Sequence, residues 1–158
     1  MKKWVLSCSF RHFIFIVTLL FFISSCTKDD EKQPLNIELW HAPLQTIKSN
    51  INGKWELRVV SVCGSPSFCA AKFGPGENVW MFSQNAERLK QVYKGAVNTD
   101  TTLLWPRRRT IGDTTYLLSY YTKQGGPEEL IVNKIRNDTL ILIDNATDFN
   151  TYFLIKQP

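Results

Sequence analysis

Residues 129–144 read ELIVNKIRNDTLILID: an apolar run, the polar triplet Arg136-Asn137-Asp138, and a second apolar run. Each run has the length and the β-branched content of a strand, and the triplet between them is a turn, so the segment reads as an antiparallel hairpin. Working outward, NATDFN (145–150) leads to TYFLIK (151–156), and in the other direction KQGGP (123–127) leads back to DTTYLLSYYT (113–122). Further strand-like runs stand at TTLLW (101–105), RLKQVYKG (88–95), ENVWMFS (77–83) and KWELRVVSV (54–62), with QNAE (84–87) as a turn. In the first of these in chain order Trp55, Leu57 and Val59 share one face, and Glu56 and Arg58 share the other. The eight runs, mostly joined by short links, predict antiparallel hairpins in sequence order, and eight such strands can close into a barrel without exposed edges. No helical segment is long enough for parallel crossovers, which excludes an α/β fold. The expectation is an all-β, eight-stranded antiparallel up-and-down barrel.

Ahead of the strands, NIELWHAPLQTIKSN (36–50) carries Ile37, Trp40, Leu44 and Ile47 at helical spacing, with Pro43 interrupting unless it lies in a first turn. A short helix against one end of the domain is expected, either an interaction site or a packed lid. NGKWEL (52–57), the hairpin at 129–144 and TYFLIK together resemble the lipocalin-like domains of bacterial lipoproteins, over roughly residues 49–158. The resemblance implies that Trp55, in the pattern Gly53-x-Trp55, closes one end of the barrel beneath a basic side chain of the last strand. Lys156 stands where lipocalins usually have arginine.

The chain begins with Lys2, Lys3 and Arg11 and then FIFIVTLLFFI (13–23), an apolar run of eleven residues. That is too short to span a bilayer and suits the core of a signal peptide, here residues 1–25. ISSC (23–26) resembles the lipobox of bacterial lipoproteins, which implies lipidation at Cys26. TKDDEKQP (27–34) then reads as a solvated tether, residues 26–36 in all, ahead of a domain at 37–158. Lys28-Asp29-Asp30-Glu31 resembles a surface-export signal of some Gram-negative bacteria. Together these imply an outer-membrane lipoprotein exposed at the cell surface.

Removing residues 1–25 takes away three basic residues and no acidic one, so the formal charge falls from +5 to +2. The mature chain therefore offers no footing for nucleic-acid binding. Its cysteine pair, Cys63 and Cys69 in VCGSPSFCA, lies in an oxidising compartment on this reading, and a disulfide closing that short loop is expected. A metal pair or a thiol nucleophile would need partners, and His41 is the one histidine of the mature chain, so neither a metal site nor a cofactor is expected.

Trp80, Tyr93, Trp105, Tyr116, Tyr120 and Tyr152 either line a ligand cup or fill the core. LLWPRRRT (103–110) places Arg107, Arg108 and Arg109 on a loop, either solvated or able to bind acidic groups of a glycan or lipid at the barrel mouth. Asp-Thr pairs at 100–101, 113–114 and 138–139 resemble a short O-glycosylation motif. Carboxylates for hydrolysis could be drawn from Glu56, Glu128, Glu129 or Asp144, but nothing in the sequence fixes their separation, and His41 lies outside the strand region. No catalytic constellation emerges. The expected role is non-enzymatic: binding a small hydrophobic or amphipathic ligand in the barrel or, alternatively, docking an envelope protein through surface loops over a filled core.

Overall fold

The computed structural model of the protein describes residues 33–62, 70–110, 113–123, 126–146 and 150–158. The signal peptide, Cys26, most of the tether, and Cys63 and Cys69 lie outside these residues. In chain order the elements are β1 (Ile37–Glu38), α1 (Leu44–Ile51), β2 (Gly53–Ser61), β3 (Ala70–Lys72), β4 (Asn78–Ser83) and β5 (Arg88–Tyr93). They continue with β6 (Ala96–Thr102), β7 (Arg107–Arg109), β8 (Thr114–Tyr121), β9 (Pro127–Arg136), β10 (Thr139–Asp144) and β11 (Thr151–Lys156).

The 129–144 hairpin is β9 and β10, joined by Asn137 and Asp138 alone. Both take left-handed backbone, φ 49° and 57°, the two-residue geometry whose twist matches that of flanking strands. Lys94 and Gly95 join β5 to β6 in the same way, at φ 49° and 79°. All pairings are antiparallel, and the hydrogen-bonded path runs β6-β5-β4-β2-β11-β10-β9-β8-β7, with β1 added to β9 and β3 to β2. The first long strand thus pairs with the last. Register shifts at Phe153/Leu154, Ile141/Leu142 and Gln91/Val92 add local twist and curl to the sheet.

The expected closed eight-stranded barrel is corrected on two points. Among the described residues eleven strands are present, and the path does not close into a barrel, since its ends are β6 and β7. Its two ends meet at Leu103–Pro106, where the chain leaves β6 and crosses to β8. Leu104 and Ser119 exchange both backbone hydrogen bonds, at 2.8 and 2.9 Å, and Leu117 N–H donates to the Pro106 carbonyl at 2.9 Å. The run read as a strand at 101–105 straddles that crossing. Residues 107–109, read as a loop, form the short strand β7 against Thr114–Tyr116. Across the opening, Lys123 Nζ donates to the Val97 carbonyl at 2.8 Å.

The helix is shorter than the 36–50 expected, because Pro43 stands immediately before its first residue and the segment ahead of it is extended. Ile37 pairs with Ile135, and the N–H groups of Leu39 and Trp40 both donate to the Asn133 carbonyl at 2.9 Å. Residues 34–158 form one compact unit, and Leu35 and Asn36, read as tether, are already bonded to the β9-β10 turn. Leu35 N–H donates to Asp138 Oδ1, and Asn137 N–H donates to Asn36 Oδ1, both at 3.0 Å.

The core sits inside the curl of the sheet. Inward positions alternate as a half-buried strand requires, Trp80 and Phe82 on β4 and Leu89 and Gln91 on β5. Helix α1 closes one end, with Ile47 and Ile51 fully buried. Gly53, at φ 128°, turns the chain from α1 into β2 in a region of backbone space that L side chains rarely adopt. Two residues on, Trp55 is fully buried, and its Nε1–H donates back to the Ile51 carbonyl at 2.6 Å. Lys156, opposite Trp55 in the β2-β11 register, holds Nζ 5.5 Å from the indole centroid.

Candidate functional site

At the other end, away from α1, the interior is a cup of about 310 Å³. Its position follows from the register. Gly53 and Phe82 pair at the helix end, whereas Asn78 and Tyr93 pair at the far end, beside the β5-β6 turn. Five aromatic rings line the cup: Phe73, Trp80, Tyr93, Tyr120 and Tyr152. Trp80 packs against Tyr152 (centroids 5.9 Å apart) and edge-on against Tyr120 (6.4 Å), and Phe73 meets Tyr93 edge-on at 6.3 Å. Such edge-on pairs fix ring orientation, so the wall is preformed.

The floor is polar. Gln91, buried, donates Nε2–H to the Tyr120 hydroxyl oxygen at 3.2 Å, which leaves the Tyr120 proton free to point at a guest. Behind Gln91, outside the lining, Thr99 opposite it on β6 is also buried, and among the described residues its hydroxyl has no partner. Asn78, Asn98 and Thr122 bring further neutral polar groups to the wall. Glu128 sits at the rim, opposite Tyr120 in the β8-β9 register. Burial first, and then the charge of Asp144, push its carboxyl above the usual range. Burial, with Asp144 and Glu128 behind it, pushes the Tyr152 hydroxyl up to about 12, and burial raises Tyr120 further still. Both phenols are therefore protonated at neutral pH and act as hydrogen-bonding groups.

A second depression, of about 870 Å³, lies on the outside of β8-β9-β10. Trp105, Pro106, Arg108, Tyr121, Glu129 and Asn145 are among its lining residues, with Leu104 and Tyr121 more than half exposed. Glu128 borders both depressions.

Of the residues expected to line a ligand site, Trp80, Tyr93 and Tyr120 come together in the cup, as does Tyr152. Trp105 and Tyr116 do not. Trp105 lines the outer depression, its Nε1–H donating to the Ala86 carbonyl at 3.1 Å, and Tyr116 packs against the core under Arg107. The arginines do not line the cup either. Arg108 pairs with Glu129 at 3.1 Å on the outer face, and all three are exposed. Phe73, Asn78, Gln91, Asn98 and Thr122 belong to the cup and were not anticipated; alternation along β4 and β5 was the one available signal, and it placed Gln91 on the same face as Leu89.

The carboxylates have separate occupations. Glu56 binds Arg58 at 2.7 Å and accepts from Gln157 Nε2 and the Gly76 N–H, while Glu129 is held by Arg108 and Asn145. His41 lies exposed beside Asp113, at 3.6 Å. Among the described residues no group of three or more His, Cys, Asp or Glu is placed to hold a metal ion. Comparison of the chain with protein-family models, with curated proteins and with solved structures found no match.

Proposed function

We propose that this protein is a lipid-anchored envelope lipoprotein whose lipocalin-like domain holds one small hydrophobic or amphipathic molecule in the aromatic cup. The observation that carries the reading is the cup itself: a preformed space of about 310 Å³ between ordered rings over a polar floor. An interior made only to be filled would have no use for a buried Gln91 and the hydroxyls of buried Tyr120 and half-buried Tyr152, whose desolvation costs stability unless partners arrive. The volume suits a guest of about ten non-hydrogen atoms, counting each as roughly a water's share of liquid volume. The lipocalin-like relationship is supported by the pairing of first and last long strands, by Gly53-x-Trp55 at the start of β2, and by Lys156 over Trp55. The anchor at Cys26 and the surface location rest on the N-terminal sequence.

Native mass spectrometry of protein extracted from its own membrane should release a bound small molecule, and Trp80→Leu should lose it. Protein that carries nothing, and whose tryptophan emission no member of a metabolite and lipid panel alters, would sink the reading. A second reading has its own observation. The larger outer depression, with exposed Leu104 and Tyr121, is a surface on which an envelope protein could dock. Crosslinking in intact cells should then recover one partner, lost on Tyr121→Ser with Arg108→Ser.

A further inference from the structure

The charge around the cup narrows the class of guest. Resting on the cup reading above, we infer that the molecule held there carries a cationic ammonium group, with Glu128 as its counter-ion and the rings of Trp80, Tyr120 and Tyr152 against its faces. Among the described residues that line the cup there is no lysine, arginine or histidine, and Glu128 is the one charged side chain. Among the described residues Glu128 has no ion-pair partner, in contrast to Glu56, Glu77, Glu87 and Glu129, each of which is held by a cation.

The groups facing Glu128 from the neighbouring strands are Tyr120 on β8, Asp144 on β10 and Tyr152 on β11. All are neutral or acidic. Asp144 deepens the negative field at the rim, and burial first, then that charge, raise the affinity of Glu128 for a proton. A ring presents its negative face to whatever stacks on it, and several rings around one carboxylate form the arrangement that holds ammonium groups. Of the basic side chains beside lining residues, Lys94 lies over Tyr93 but is engaged by Glu77 at 3.2 Å, and Lys123, next to Thr122, donates its ammonium to the Val97 carbonyl at 2.8 Å. An anionic guest such as a fatty acid would meet the charge of Glu128 and, among the described lining residues, no cation.

The test uses three probes that fit the cup and share a benzyl group: benzyltrimethylammonium, its uncharged carbon isostere neopentylbenzene, and phenylacetate. Each is titrated by calorimetry into the full chain held in lipid nanodiscs, and into its Glu128→Gln and Trp80→Leu variants, after near-ultraviolet circular dichroism has shown each variant folded. The expected result is benzyltrimethylammonium bound at least about tenfold more tightly than either other probe, a preference that Glu128→Gln removes and Trp80→Leu weakens. If neopentylbenzene or phenylacetate binds as tightly, and Trp80→Leu abolishes that binding, the cationic guest is refuted while the cup stands as a binding site. If none of the three binds in a Trp80-dependent way, the inference falls together with the reading beneath it.

Discussion

The two ends of the interior are built from similar residues and do opposite things. At the helix end Trp55 is sealed: its N–H is bonded to Ile51, Lys156 covers its ring, and Ile47, Ile51, Phe82 and Leu89 are buried in the same core. At the far end Trp80 is equally well buried by its neighbours, yet it borders an open space with amides, hydroxyls and a carboxylate around it. The contrast teaches that burial alone does not separate core from site. What separates them is whether the polar atoms nearby are already satisfied. The N–H of Trp55 is, bonded to Ile51; around Trp80, Glu128 is without a counter-ion among the described residues.

The largest expected effect breaks the sealed end. Trp55→Ala should cost about 3–5 kcal/mol in urea unfolding, the range for a large side chain removed from a packed core. Trp80→Ala should cost less, about 2–3 kcal/mol, because water can enter the enlarged cup and the cavity penalty is reduced. Equal costs for the two would show that the ends do not differ as described. Asn52→Ala comes next. Asn52 Oδ1 accepts the N–H of Ala86, the last of three successive left-handed residues, Gln84 to Ala86, that turn β4 into β5 against the helix. A loss of about 1–2 kcal/mol is expected, with no change in ligand affinity.

The smallest effect has the opposite sign and belongs to the cup. The carboxyl of Glu128 is raised in the fold, so the folded protein takes up that proton more readily than the unfolded chain does, and stability gained on protonation is lost as pH rises through the folded pKa. Glu128→Gln should therefore raise the Tm at pH 7, by about one or two degrees, and leave it unchanged well below the ordinary carboxylate range. A Tm lowered at pH 7 would mean that Glu128 has a partner in the fold.

The sheet was legible where strands are half-buried. β10 and β11 have the limits that apolar content and turn residues mark out, and β2, β4, β5, β8 and β9 lie within a residue or two of theirs. β6 was missed because AVNTDTT buries only Thr99 fully and shows no apolar alternation. β1 and β3 are two and three residues long and exist through their partners β9 and β2. No pattern in RRR distinguishes a strand from a loop, and β7 owes its state to the backbone of β8. The open path was equally hidden, since it depends on where Leu104 finds a partner. Of the site, the aromatic wall could be listed but not assembled: residues on four strands meet only once register is set, and the same reading that picked Trp80 and Tyr120 picked Trp105, which the crossing at 103–106 carries to the outside. Glu128 stood out in sequence only as one carboxylate among several.

The pairing of β2 with β11 also has a meaning in time. Val60 faces Tyr152 and Trp55 faces Lys156, so the ladder at the middle of the sheet joins the two ends of the domain. The hairpins β4-β5-β6 and β8-β9-β10 can form as the chain emerges, but until residues 151–156 have been made they are tied only by the β1-β9 pairing and the Leu104–Ser119 bridge. Until then β2 and β10 each present a bare edge, the condition under which strands pair with the wrong neighbour. Its last strand therefore acts as the clasp of the sheet: a nascent chain lacking those six residues leaves the facing edges of β2 and β10 unpaired.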